Sequence, residues 1–163
     1  DEGADTIDAG RGDDEIFENL GRVIASQDAI LLGRGTYDYW VDYWPTSDVE
    51  PFASFINQTH KHVFTSSTPD RQWAETTIVT SRAPEHVAAL KEQAGGDIGI
   101  HGSISLARSL WDAELVDELR LVIAPTVAGR GRRLFDDGAA LQRLHLLDVA
   151  RTAAGTLFLT YRR

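Results

Sequence analysis

The chain has 163 residues, of which 42% are hydrophobic, and this size and composition are typical of one globular domain. There are 25 acidic and 16 basic residues, so the formal net charge of -9 disfavours contact with the phosphate backbone of nucleic acids. The sequence contains no cysteine, which excludes disulfide bonds and thiolate catalysis. No apolar run is long enough to cross a bilayer and no signal peptide is recognisable, so we expect a cytoplasmic protein without a membrane partner.

The chain begins with an acidic, glycine-rich segment, which is followed by a predicted helix and a predicted strand. Residues 1–15 have no apolar periodicity, which predicts a flexible loop. Apolar side chains recur at helical spacing over residues 16–24 and predict a helix of about three turns. The continuous apolar run at 29–32 ends at Gly33 and predicts a strand buried on both faces, as in parallel sheets. Because the sequence contains no methionine, we expect further residues ahead of Asp1.

The remaining predicted elements continue the alternation of helices and strands. In chain order they are a helix capped by Thr36 that ends before Pro45, a helix over about 51–59, strands over 62–65 and 77–80, a helix over 84–93, a strand over 97–100, a helix capped by Ser103, a strand of the buried type over 118–124, and strands over 144–150 and 156–161 that form a hairpin. This order predicts a single α/β domain over residues 1–163, with a mainly parallel central sheet, helices on both faces and a C-terminal antiparallel hairpin.

Two loops lie where ligands of such sheets bind, outside the carboxyl ends of the strands. Gly33-Arg34-Gly35-Thr36 combines glycines that let the backbone approach an anion, a helix N-terminus that attracts it, and the charge of Arg34. Gly102-Ser103 stands in the same position ahead of another helix but brings no cation. Taken alone, the first loop is as compatible with a glycine-rich turn, and the second fits a plain helix cap better. Side by side, the two loops could hold both ends of one diphosphate.

Three further segments allow a functional interpretation, but a structural one is favoured for each. The hydroxyls of residues 65–68 could bond an adenosine ribose or its 2′-phosphate, yet Thr and Ser ahead of a proline make an ordinary turn. His60 and His62 share one strand face, but no third metal ligand is near in sequence, so solvated histidines are favoured. A Gly-x-Asp-x-Ile pattern at residues 3–7 and 12–16 resembles a calcium-binding repeat with too few copies to fold. No metal is therefore expected.

Four motifs in chain order carry a resemblance to a known family. They are Leu31–Tyr37 (Leu-Leu-Gly-Arg-Gly-Thr-Tyr), Lys61–Thr68 with Trp73 after it, Gly96–Ser103 followed by Leu106 and Leu110, and Leu115–Leu121 followed by Pro125–Gly131 and Leu134-Phe135. With these motifs the segment 27–163 resembles the dihydrofolate-reductase-like family, which includes the riboflavin-biosynthesis reductase C-terminal domain. The first strand of that family has no counterpart in this sequence.

The resemblance implies a fold, a cofactor and a reaction. It implies a dihydrofolate-reductase-like fold, often a homodimer, that binds NADPH (NADP) across the ends of the parallel strands. The reaction that it implies is hydride transfer to a small heterocycle such as a pteridine or a pyrimidine. The residues that it assigns to the cofactor are Gly33, Arg34 and Thr36 at the phosphates, Ser66 and Ser67 at the adenosine ribose, and Gly102, Ser103 and Ile104 at the pyrophosphate and nicotinamide.

Two other functions stay open at this stage. One is a non-catalytic dinucleotide-binding or structural dimer of the same fold, which the missing first strand favours. The other is a phosphate-ligand module of flavodoxin-like shape that would bind FMN. No catalytic residue is selected, because Asp38 and Asp42 follow the first loop without a spacing that distinguishes either as the proton donor. The basic residues Arg130, Arg132 and Arg133 among glycines predict a surface turn.

Overall fold

The computed structural model of the protein describes residues 11–135 and 140–163. In chain order the elements are α1 (Arg11–Ile24), β1 (Gln27–Gly33), α2 (Arg34–Tyr43), α3 (Phe52–Gln58), β2 (His60–Phe64), β3 (Thr76–Val79), α4 (Ala83–Lys91), β4 (Asp97–Ile100), α5 (Ile104–Asp112), β5 (Glu118–Ile123), β6 (His145–Arg151) and β7 (Leu157–Arg162), with a 3₁₀ turn at Trp44–Thr46 after α2. Among these described helices, none has the length and apolar character that crossing a membrane requires.

The strand β1 lies inside a four-stranded parallel sheet with the order β3-β2-β1-β4. Leu31 of β1 pairs with His62 of β2 on one side and with Ile100 of β4 on the other. Four consecutive residues of β1, from Ala29 to Leu32, are at most 8% exposed. A continuous apolar run suits this position because helices cover both faces of the sheet. The predicted buried strand and the mainly parallel sheet are confirmed.

The side chains of β1 alternate between two helical layers, as the period of a strand requires. Ile30 and Leu32 belong to a buried cluster with side chains of α1, α2 and α3. Leu31 points to the opposite face and packs with Val87 of α4 and Leu110 of α5. The helices therefore cover both faces of the parallel sheet, as predicted.

The last three strands form a separate antiparallel sheet with the order β5-β7-β6. The predicted hairpin of β6 and β7 is present, and β5 pairs with β7 along its whole length. The prediction that β5 is a buried strand is wrong, because its residues are half-buried or exposed, with Val122 at 56%. Apolar composition shows which side chains can be buried, but it does not show whether a second layer covers them.

The helix α1 begins earlier than the sequence pattern predicts. Residues 11–15 form its start, whereas the pattern predicts a loop for them. Asp14 and Glu15 lie near this N-terminus, where negative charge stabilises a helix, so polar residues without periodicity still form a turn. Glu15 Oε2 also accepts the backbone N–H of Ala153 (2.9 Å), which ties α1 to the turn between β6 and β7. The loop predicted for residues 1–10 lies outside the described residues.

A large cavity of about 1700 Å³ lies between β4 and β5 and is lined by residues of both strands. β4 pairs with β1, and β5 pairs with β7. The other edge of each strand pairs with no strand within residues 11–135 and 140–163. The cavity thus separates the parallel half of the molecule from the antiparallel half.

Candidate functional site

The two predicted phosphate loops lie side by side at the carboxyl edge of the parallel sheet. Since β1 and β4 are neighbouring parallel strands, Gly33 at the end of β1 and Gly102 after β4 emerge at the same edge. Ser103 joins the loops, because its Oγ accepts the Gly33 backbone N–H (2.8 Å) and donates to Thr36 Oγ1 (2.8 Å). Thr36 Oγ1 also accepts the backbone N–H of Ser103 (3.1 Å). These hydrogen bonds make one unit of two loops that are far apart in sequence.

The same contacts correct the capping role predicted for Thr36, whereas Ser103 occupies the N-cap position of α5 as predicted. The N-cap of α2 is Gly33 and the N-cap of α5 is Ser103, and neither helix has a side-chain capping hydrogen bond. Both hydroxyls bond across the two loops instead. The pattern of one segment cannot reveal this, because the partner of each hydroxyl is about 70 residues away along the chain.

The close approach of the loops depends on Gly102. Its φ is +63°, and a Cβ at this position would lie only 3.2 Å from Thr36 Cγ2. Ser103 follows with φ 51°, a left-handed conformation that costs a non-glycine residue about 1 kcal/mol or more. Backbone in such a conformation, held by several hydrogen bonds, is common at ligand-binding sites.

The joined loops border a cleft of about 590 Å³. The first-turn amides of α2 and α5 have no intrahelical acceptor, and the dipoles of both helices place partial positive charge there. A Cβ on Gly35 would meet nothing within 4 Å, so the space beside this residue is open. Six of the eight predicted cofactor residues line the cleft, namely Gly33, Arg34, Thr36, Gly102, Ser103 and Ile104, and they are joined by the aromatic residues Tyr39 and Trp40. The cleft is suited to an anionic ligand that also has an aromatic part.

Arg34 connects the cleft with the hydroxyl segment that follows β2. Its Nε lies 2.6 Å from a carboxylate oxygen of Asp38, and its Nη1 donates to Ser67 Oγ (3.0 Å). Ser67 therefore lies beside the guanidinium, but both Ser66 and Ser67 are exposed and neither lines the cleft. Because the Asp38 carboxylate balances the charge of Arg34, this arginine attracts an anion less strongly than its sequence position predicts.

Arg132 lines the cleft, although the sequence pattern predicts only a surface turn for it. Its Nη2 lies 3.4 Å from Ser105 Oγ, which belongs to the first turn of α5. The signal in the sequence is a cluster of arginines among glycines at 129–133, and ordinary surface turns share that pattern. Tertiary structure alone therefore identifies this residue.

Comparison with known families agrees with this geometry. The sequence matches the family described as RibD C-terminal domain over residues 9–158. The chain belongs to this family. It is 30% identical over 138 residues to protein YyaP of Bacillus subtilis (strain 168), and the matched region covers 82% of this chain and 73% of YyaP. Membership of the RibD C-terminal domain family supports a reductase role in general terms.

Solved structures share the fold of this RibD C-terminal domain. A Shewanella sp. PV-4 protein named for riboflavin biosynthesis has a TM-score of 0.70 at 15% identity, over 99% of this chain and 83% of that protein. The diaminohydroxyphosphoribosylaminopyrimidine deaminase/5-amino-6-(5-phosphoribosylamino)uracil reductase of Thermotoga maritima has a TM-score of 0.64 at 13% identity, over 91% of this chain and 48% of that longer protein. The predicted fold, that of riboflavin-biosynthesis reductases and hence dihydrofolate-reductase-like, is confirmed.

The cleft of this RibD C-terminal domain adjoins the cavity between the two sheets, because Gly102 lines both. His101 lines the cavity next to this point and lies edge-on to the rings of Phe52 and Phe55. Burial lowers the pKa of His101 to about 4, so its imidazole is neutral near pH 7. A neutral imidazole in this place can accept or donate a hydrogen bond, but it is not a charged acid.

The protonated nitrogen of His101 is set by Gln27 at the start of β1. His101 Nε2 lies 2.7 Å from Gln27 Oε1, while Gln27 Nε2 donates to the carbonyl oxygen of Val23 (3.1 Å). Because an amide oxygen only accepts, His101 Nε2 carries the proton and Nδ1 is left as an acceptor. Gly99 makes room for this pair, since a Cβ there would collide with Gln27 Oε1. The sequence pattern did not select either side chain, because only the pairing of β1 with β4 brings them together.

The two aspartates considered as proton donors are each paired with an arginine and do not themselves line the cleft. Asp38 pairs with Arg34, and Asp42 pairs with Arg71. Neither aspartate lines the cleft or the cavity between the sheets. The geometry therefore selects neither as the acid that protonates a substrate.

The histidines of β2 form a cluster with a third histidine that the sequence pattern did not indicate. His62 Nδ1 lies 3.1 Å from His86 Nε2 of α4, and His60 Nε2 lies 2.8 Å from Thr77 Oγ1. His62 is half-buried, not solvated, and burial together with its two neighbours lowers its pKa to about 4. Within residues 11–135 and 140–163, no group of three or more metal-ligating side chains is arranged to hold a metal ion.

The second copy of the calcium-repeat pattern, residues 12–16, lies in the helix α1, and the first copy lies outside the described residues. A helix cannot supply the strand-and-turn backbone of such a repeat.

Proposed function

We propose that this RibD C-terminal domain is an NADPH-dependent reductase that transfers hydride to a small pyrimidine- or pteridine-like heterocycle. The observation that carries the proposal is the pair of joined loops at the carboxyl ends of β1 and β4, with two helix N-termini beside one open cleft. Ligands of open α/β sheets bind at this edge, and free amides at helix N-termini bind phosphates. The volume of the cleft lies within the range of cofactor sites.

The residues of the cleft fit the parts of a dinucleotide. The first-turn amides of α2 and α5 would hold its phosphates, and Ser103 with Thr36 keeps the two loops in register for this. Arg34 would lie at the phosphates with these amides, and Ser67, which accepts a hydrogen bond from Arg34, would contact the adenosine ribose end. When bound, NADPH supplies the hydride, and the protein supplies orientation and a site protected from water.

The cavity that adjoins the cleft at Gly102 is the proposed place of the substrate. His101 would accept a hydrogen bond from a substrate N–H at Nδ1, because its Nε2 proton is committed to Gln27. An N–H group is common to pyrimidines and pteridines, which is why this substrate class is proposed.

Fluorescence titration of the protein with NADPH, NADP and FMN tests the cofactor. Trp40 lines the cleft and is expected to report binding of NADPH in the micromolar range. No binding at millimolar NADPH would remove the proposal, and binding of FMN alone would favour a flavin-binding module. Oxidation of NADPH with a panel of pyrimidines, pteridines and quinones then tests the substrate class.

A second candidate, a non-catalytic dinucleotide-binding protein of the same fold, is favoured by the composition of the cleft. Among its described lining residues there is no carboxylate and no imidazole. Hydride transfer to a heterocycle also needs a proton, and no described side chain of the cleft itself is a carboxylic acid or a histidine that could supply it. Tight binding of NADPH without oxidation by any compound of the panel would support this candidate.

We also propose that the protein forms a homodimer through its antiparallel sheet. Leu146, Leu147 and Val149 of β6 are 46–55% exposed, and apolar side chains clustered on one strand are typical of an interface. Sedimentation analysis of the wild type and of Val149→Glu tests this, with a dimer expected for the first and a monomer for the second. A monomeric wild type at all concentrations would contradict the proposal.

A further inference from the structure

Arg132 is distant in sequence from both phosphate loops but shares their cleft. It belongs to the connection between β5 and β6, which starts in the antiparallel half of the molecule. Its Nη2 lies 3.4 Å from Ser105 Oγ in the first turn of α5. The connection therefore brings a cation to the place where the dipole of α5 already favours an anion.

The segment that follows Arg132 is fixed to α5 by several contacts. Arg108 of α5 donates from Nε to the carbonyl oxygen of Leu134 (2.6 Å) and from Nη2 to that of Arg133. The ring of Phe135 packs edge-on against the ring of Trp111, with centroids 5.4 Å apart. Because these contacts hold the backbone against the helix, Arg132 is positioned beside the cleft when no ligand is bound.

Arg132 and Arg34 both line the cleft, but their guanidinium groups have different neighbours. Arg34 has the Asp38 carboxylate at 2.6 Å. In the part of the chain that the structure describes, no carboxylate lies within ion-pair distance of Arg132. Among the described residues, an anion that enters the cleft would therefore find a neutralised pair at Arg34 but no carboxylate beside Arg132.

We propose that Arg132 binds the diphosphate bridge of the dinucleotide and is its main cationic contact. This inference rests on the function proposed above and assigns to the connection between β5 and β6 a role in ligand binding. The antiparallel half of the molecule then completes a site whose loops and helix N-termini belong to the parallel half.

Replacement of Arg132 tests the inference, with Arg130 as the matched control. Arg130 is exposed in the same connection, two residues away, and does not line the cleft. The dissociation constants of NADPH and NADH are measured by fluorescence titration at low and high salt for the wild type, Arg132→Gln, Arg132→Lys and Arg130→Gln. Because a hydrogen bond to a charged group is lost, Arg132→Gln is expected to weaken both cofactors about tenfold or more. It should also reduce the dependence of binding on salt.

The controls separate this inference from the proposed function. Arg132→Lys keeps the charge and is expected to regain much of the affinity, and Arg130→Gln should bind like the wild type. If the wild type binds neither cofactor, the proposed function fails. If the wild type binds and Arg132→Gln binds as tightly as Arg130→Gln, the inference alone fails. A loss confined to NADPH would also overturn it, since it would place Arg132 at the 2′-phosphate and not at the diphosphate.

Discussion

The parallel and antiparallel sheets of this RibD C-terminal domain differ in what their side chains face. Ile30, Leu31 and Leu32 of β1 are at most 1% exposed, whereas every residue of β6 is exposed. The loops that build the cleft follow strands of the buried sheet, and a rigid, close-packed scaffold holds such loops in place. The antiparallel sheet supplies instead the exposed strand β6 and the connection that carries Arg132. The comparison indicates that the parallel half provides stability and the frame of the site, while the antiparallel half is available for contacts.

The largest expected effect comes from removing a core side chain of the parallel half. Leu31→Ala deletes a side chain that packs between the sheet and two helices, and it should lower the free energy of unfolding by about 3 kcal/mol. At a protein concentration where sedimentation shows a monomer, Leu146→Ala on β6, where the side chain is 53% exposed, should change it by less than about 0.5 kcal/mol. Urea denaturation followed by circular dichroism measures both. A large loss for the monomeric Leu146→Ala variant would show that this side chain is covered within the monomer, which would contradict the difference between the two halves.

The second prediction concerns the two lysines of the chain. Lys61 is completely buried and donates to the carbonyl oxygens of Ile56 (2.8 Å) and Thr59 (2.9 Å). Lys61→Met leaves these acceptors without a donor and is expected to cost about 2 kcal/mol of stability. Lys91 forms an ion pair with the exposed Asp117, so Lys91→Met should cost less than about 1 kcal/mol. Equal losses for the two variants would contradict this ranking.

The pH dependence of stability offers an independent measurement on Lys61. Burial lowers its pKa to about 8, from an ordinary value of 10.5. Between these pH values the unfolded chain still binds a proton that the folded protein has released, so the free energy of unfolding rises with pH. Denaturation is measured across this window for the wild type, Lys61→Met and Lys91→Met. The free energy of unfolding should rise with pH for the wild type and Lys91→Met, but not for Lys61→Met.

A smaller effect, on binding and not on stability, is expected from filling the cleft. A side chain at Gly35 would point into open space in the first turn of α2, so Gly35→Leu should fold with unchanged or slightly higher stability. The leucine occupies the cleft, and NADPH is expected to bind about tenfold more weakly, or about 1.4 kcal/mol less favourably. Ser109→Leu at the far end of α5, on an exposed position, is the control that should bind like the wild type. Unchanged binding by Gly35→Leu would place the ligand elsewhere.

The last expected effect is a change in acid sensitivity. Burial holds the pKa of His101 at about 4, below the ordinary value of 6.5. As the pH falls from about 6.5 to about 4, this histidine takes up a proton in the unfolded chain but not in the folded protein. The free energy of unfolding therefore decreases. His101→Phe, which suits the contacts with Phe52 and Phe55, should reduce this decrease in part, because His62 shows the same shift. His145→Phe, on the exposed strand β6, is the control in the antiparallel half and should leave the profile unchanged.

Much of the parallel half was predictable, and the reason lies in local patterns. The run of apolar residues at 29–32 is enough to predict a strand covered on both faces, and the strand at 97–100 matches the prediction in both bounds. The loops after these strands were predicted to be neighbours because the carboxyl ends of parallel strands share an edge. By contrast, β5 ends in an apolar run over residues 121–123 but is partly exposed, since no local pattern shows what packs on it.

The sequence by itself determined which segments become strands and helices, which family the chain resembles, and which glycine loops border the cleft. These depend on neighbours in the chain, through side-chain periodicity and backbone preferences. Only the tertiary structure decided that Ser103 bonds to Thr36, that Gln27 sets the protonated nitrogen of His101, and that Arg132 reaches the cleft. Each of these contacts joins residues that are between 27 and 74 positions apart, so its geometry exists only after the strands have paired and the helices have packed.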